Sequence, residues 1–174
     1  MNTLVYNLSL ENYTQELERK NRLETKALGY LNFISIILAV VTAFYAVFLV
    51  SDYAKIKNGN EIYLILIHSF VIYILFTSYI SIFSLLISLK VKIMSKYLYE
   101  EENYNKLRAN TDEEFEKTVS LNLIKYTNKN IAINNRTEKI IKIAYFFLNV
   151  ILVAIGLLLL VLFLYVLKGG LYGY

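Results

Sequence analysis

The sequence predicts an all-α membrane protein with three transmembrane helices, and three observations carry that reading. Ala27 to Ser51, Ile62 to Leu89 and Ile143 to Leu167 hold 25, 28 and 25 residues without a charge, and about 20 apolar residues cross roughly 30 Å of hydrocarbon as a helix. The charges between them are unequal: 15 of 18 Lys and Arg residues precede the first stretch or separate the second from the third, leaving Lys55, Lys57 and Lys168 elsewhere. Segments rich in Lys and Arg stay cytoplasmic, so the N-terminus is expected inside and the C-terminus outside. The chain also has no proline, so no helix is kinked by one.

Residues 1–26 are expected to form an amphipathic cytoplasmic helix. Glu16 with Lys20 and Glu18 with Arg22 stand four apart in the favourable acid-to-base order, and Ser9 is a candidate N-cap. The helix runs into the first span, 27–51. That stretch is too long for an apolar signal core and begins behind 26 residues, so it reads as a retained span. The external turn, 52–61, contains Asn58, Gly59 and Asn60, which suit a tight connection. The second span, 62–89, therefore returns as an antiparallel partner, with no break at its inner end before about Arg108.

The cytoplasmic segment 90–142 is expected to be a helical hairpin. A stop at Ala109 and Asn110 is followed by Thr111, Asp112, Glu113 and Glu114, a capping box in which Thr111 and Glu114 satisfy each other's backbone amides. Along the helix that starts there, Phe115, Val119, Leu123, Tyr126, Asn130, Ile133, Thr137 and Ile140 recur at spacings of four and three, one seam at heptad-like intervals. Two partners fit it: the extension of the second helix within one subunit, or another subunit, with Asn130 fixing register. The Asn-rich run 128–135 lowers helix propensity and is a candidate break. The third span is 143–167, and the tail 168–174, with Gly169 and Gly170, reads as a flexible anchor.

Inside the spans, small and weakly polar residues form stripes. Thr77, Ser81, Ser84 and Ser88 share one face of the second, and Asn32, Ser35, Ala39, Thr42 and Ala46 one face of the first; Asn149 and Gly156 stand seven apart in the third. Such stripes pack membrane helices closely, or line a water-filled path when several subunits assemble, since three helices are too few to enclose a pore. Lys90, Lys92 and Lys96 leave the second span as Arg136, Lys139 and Lys142 approach the third. These six cations suit anionic headgroups, or a phosphate-bearing ligand with Tyr97 or Tyr126 as a stacking face.

Little supports catalysis. There is no Cys and a single histidine, His68, with no acid or thiol near it inside the span, so neither a metal set nor a triad can be assembled. Phosphate loops and glycine fingerprints are missing. No enzyme, no cofactor and no direct nucleic-acid binding are expected; the net charge of +4 reads as topology and lipid attraction.

The basic entry into the first span through Arg19, Lys20, Arg22 and Lys26, the short external turn, the cytoplasmic helical segment and the run from Asn128 through Arg136 to Lys139 before the last span together resemble small bacterial membrane effectors of antiphage defence. The nearest groups this chain resembles are the SLATT family and the transmembrane effectors of Pycsar systems, and the small membrane accessory proteins of some CRISPR systems are comparable in scale. The resemblance implies a homo-oligomer of the bacterial inner membrane that permeabilises or depolarises it on a signal from a sensor protein or a nucleotide second messenger. A third span and the lack of a recognisable sensor domain set this chain apart from some of those families. A non-enzymatic accessory subunit that binds a partner through residues 90–142, and a holin-like pore protein, are the other readings the sequence allows.

Overall fold

The computed structural model describes residues 2–51, 61–90 and 112–171, and all of them are helical. Helix α1 is Asn2–Ser51, α2 is Glu61–Lys90 and α3 is Asp112–Leu171. Each is long and apolar enough to cross a membrane. The external turn, the extension of the second helix toward Arg108 and the cap Thr111 lie outside the described residues. Helix α3 begins at Asp112, beside the expected cap, and its first turn carries Glu113 and Glu114, which suit the positive end of the helix dipole. It continues through Asn128 to Asn135 without a break, and through Gly169 and Gly170 to Leu171, where the composition suggests a loose tail.

The chain divides into two compact units, Met1–Ala27 with Ile87–Ile140, and Leu28–Leu86 with Ile141–Tyr174. The second unit holds the apolar core. Its buried residues recur at intervals of seven: Ile34, Val41 and Phe48 on α1, Ile67, Ile74 and Ser81 on α2, and Ala144, Ile151 and Leu158 on α3. A repeat of 3.5 residues keeps one line of each helix turned to its neighbours along the whole contact. Val41, Phe48, Ile67, Val71, Ile74, Ile151, Ala154 and Leu158 form the central cluster. Ring contacts of Tyr30 with Tyr145 and of Phe48 with Tyr165 set α1 parallel to α3, and α2 runs antiparallel to α3, with Tyr63 meeting Tyr165 and Ser81 meeting Ala144. The opposite faces carry exposed apolar side chains such as Ile36, Val40, Phe76, Phe146 and Phe163, as lipid contact requires.

In the first unit the amino-terminal half of α1 lies parallel to the amino-terminal half of α3. Tyr13, Val119 and Leu123 form a small apolar cluster with Tyr6, Leu17, Phe115 and Tyr126 packed against it. Part of the seam expected on α3 packs against α1; the extension of the second helix, the partner expected within one chain, lies outside the described residues. The register of the seam is displaced in part. Val119, Leu123, Asn130 and Thr137 are buried, whereas Tyr126 and Ile133 are half-buried and the buried positions beside them are Thr127 and Asn134. Short polar side chains, Thr127, Asn130, Asn134 and Thr137, fill much of the buried face, while Tyr126 and Ile133 are half-buried beside them.

Candidate functional site

The hydroxyl stripe of α2 sits inside the helix packing of one chain. Thr77, Ser78 and Ser81 are buried. Ser81 donates its hydroxyl across to the main-chain oxygen of Ala144 at 3.0 Å, a contact possible only because position 144 is small enough to let the backbones approach. Thr77 instead bonds within its own helix to the oxygens of Tyr73 and Ile74, and half-buried Ser84 to that of Ile80. Ser88, in the first unit, is also buried. Ser78, outside the stripe drawn from sequence, is fully enclosed with its Oγ unbonded.

The first span behaves in the opposite way. Asn32, Ser35, Ala39, Thr42 and Ala46 all lie on the exposed surface of the second unit. Ser35 bonds to the oxygen of Leu31 and Thr42 to that of Leu38, so their hydroxyls are satisfied within the helix and present mainly a small, flat surface. Gly29 continues the face toward the N-terminus, with no atom near the position a Cβ would take. Asn149 and Gly156 are likewise exposed on α3, and Asn149 bonds to the oxygen of Tyr145.

Polar contacts hold the first unit together. Asn134, buried, donates to the main-chain oxygen of Glu16 at 2.9 Å and to its carboxylate at 2.8 Å. One turn along, Arg19 donates to Asn135 at 2.8 Å and pairs with Glu138 at 2.6 Å. Hydrogen bonding to Glu138 is the main cause that raises the Arg19 pKa; burial, next in size, opposes it, and the Glu16 and Glu138 charges add to the rise. The guanidinium is therefore charged at any pH the protein meets. The sequence pairs Glu16 with Lys20 and places Arg19 in the basic entry to the first span; the signal that they face a partner is the place of Glu16 in line with Ser9 and Leu23 at seven-residue intervals, with Arg19 three residues further on.

Beside these contacts a cavity of about 310 Å³ opens between the two helices. Ser9, Asn12, Gln15 and Glu16 line it from α1, and Ile124, Thr127, Asn128 and Ile131 from α3. Thr127 is only 8% exposed and its Oγ1 has no hydrogen-bond partner. Asn130 is completely buried with both amide atoms unbonded.

Of the basic group, Lys90, Arg136, Lys139 and Lys142 are exposed, while Lys92, Lys96 and Tyr97 lie outside the described residues. Tyr126 is committed to the cluster around Tyr13 and is not a free stacking face. His68 is half-buried; its Nδ1 donates to the oxygen of Leu64 at 2.8 Å and its ring meets the edge of Tyr45 at 5.4 Å. A carbonyl can only accept, so the proton is on Nδ1 and the histidine is accounted for by packing. Among the described residues no group of His, Asp and Glu side chains is arranged to hold a metal ion. No protein-family model matches this chain, and comparison with curated proteins and with solved structures finds no match.

Proposed function

We propose that this chain is a multi-pass protein of the bacterial inner membrane, N-terminus inside, that assembles into a homo-oligomer and acts, without catalysis, by raising the permeability of the membrane. The observation that carries the reading is the exposed face of the first span. Asn32, Ser35, Ala39, Thr42 and Ala46 line a helix surface that the chain leaves uncovered, and small residues are where membrane helices approach one another most closely. Because Thr77 and Ser81 are buried within the chain, any water-filled path between subunits is lined by the first span and not by the hydroxyls of the second. The distribution of Lys and Arg supports the orientation, and the resemblance in layout to antiphage effectors supplies the setting, arrest of an infected cell.

Induced expression in bacteria carrying a membrane-potential dye tests the proposal, together with the mass of the purified particle. Depolarisation by an oligomer supports it. A monomer that copurifies with one protein and leaves the potential intact replaces it with an accessory subunit, and lysis in place of arrest replaces it with a holin-like activity.

A further inference from the structure

The geometry points to the cavity between the amino-terminal halves of α1 and α3 as a binding site for a small linear organic cation, a primary ammonium on a short hydrocarbon stem. At about 310 Å³ the cavity has room for roughly ten waters at liquid density. Its wall carries acceptors at Ser9 and Glu16. The Ser9 hydroxyl proton is used on the oxygen of Val5, which leaves the lone pairs of its Oγ as acceptors, and one amide hydrogen of Gln15 is used on Glu11. Glu16 adds a carboxylate, and among the described residues no Lys or Arg lines the cavity.

Arg19 does reach Glu16, at 3.5 Å, but its shorter contacts are to Glu138 and Asn135, and Asn134 occupies only part of the carboxylate. Lone pairs on Glu16 remain for a donor. Thr127, more than nine-tenths buried and lining the cavity with an unbonded Oγ1, is a polar group whose burial costs free energy until something bonds to it. Ile124 and Ile131 stand seven residues apart along α3, about 10 Å, and form an apolar track with Thr127 between them. A methylene stem lies along that track, while its ammonium reaches the acceptors of α1. A phosphate-bearing ligand is disfavoured by the same wall, since it would face Glu16 with no cation among the described lining residues.

The site lies within one chain, so it stands apart from the proposal about assembly. Calorimetric titration of the full chain in neutral detergent with 1,4-diaminobutane tests it, with 1,4-butanediol as an uncharged probe of equal length and inorganic phosphate as an anion. Saturable binding of the diamine alone is expected, weakened about tenfold or more by Glu16→Gln, since a charge-assisted hydrogen bond is lost. Thr127→Val, which keeps the shape and removes the hydroxyl, weakens it by a smaller factor and carries the test if Glu16→Gln loses helicity by circular dichroism. No saturable heat from the diamine, equal binding of the diol, or diamine binding indifferent to these substitutions would overturn the assignment.

Discussion

Asn134 places both hydrogens of its amide on Glu16, one on the main-chain oxygen and one on the carboxylate, while Asn130, one turn earlier on the same buried line, bonds to nothing. Two asparagines four residues apart thus have opposite energetic signs. A buried polar group with good partners contributes about 1 kcal/mol or more, and one without partners costs about 1–3 kcal/mol.

Asn134→Leu is therefore expected to loosen the first unit by about 2 kcal/mol, since it removes two hydrogen bonds to Glu16, whereas Asn130→Leu, close in volume, is expected to tighten it by about 1 kcal/mol or more. Hydrogen exchange of the amides in 112–140 reads both, and the two variants must move protection in opposite directions.

How much of this was legible in the sequence varied with the physics behind each feature. The spans follow from length without charge, a signal that no tertiary contact can override, because an isolated charge in hydrocarbon is too costly. The seam on α3 was legible as a period, and its phase holds at Val119, Leu123, Asn130 and Thr137 but slips by one residue at Tyr126 and Ile133. Choosing the largest apolar residue in each turn selects Tyr126 and Ile133, whereas the buried line at strict seven-residue intervals runs through Thr127 and Asn134, and through Asn130, Thr137, Ala144, Ile151 and Leu158. Ranking positions by hydrophobicity passes over the short polar residues that this contact buries. The same bias hid the matching line on α1 through Ser9, Glu16 and Leu23.

The pairing of Arg19 with Glu138 is partly exposed, so screening limits its contribution to about 1 kcal/mol. A double-mutant cycle of Arg19→Met and Glu138→Gln should return a coupling of that size, shrinking with added salt. The raised pKa of Arg19 means its share of stability is complete below the ordinary arginine range and is lost only as pH rises through a still higher value. Protection of the first unit is accordingly expected to stay flat in alkali up to about pH 10 as far as Arg19 is concerned.

Ser81 and Ser84 differ by one helix turn and by partner. Ser81 bonds across to Ala144, and Ser84 to its own helix at Ile80. Ser81→Ala should cost about 0.6–2 kcal/mol in the membrane unit, the worth of one bond between helices in lipid, and Ser84→Ala close to nothing. Equal loss of thermal stability in detergent for the two would show that the contact to Ala144 contributes little.

The exposed face of the first span separates folding from assembly. Ser35→Leu, Ala39→Leu and Thr42→Leu all change residues that meet no other helix in the chain's own buried core, so the fold of the single chain has no reason to fail, and Leu is a good helix former at ease in lipid. A close contact between two copies tolerates them poorly, because each adds bulk where backbones must approach. The particle mass measured by light scattering in detergent should fall to that of one chain for Ala39→Leu, with circular dichroism unchanged, and the dye response of expressing cells should be lost with it. Ala132→Leu, on the exposed face of the first unit, serves as the matched control and should alter neither. If the Ala39→Leu particle keeps its full mass, the subunits meet through another surface, and the assignment of the first span to the assembly contact is withdrawn.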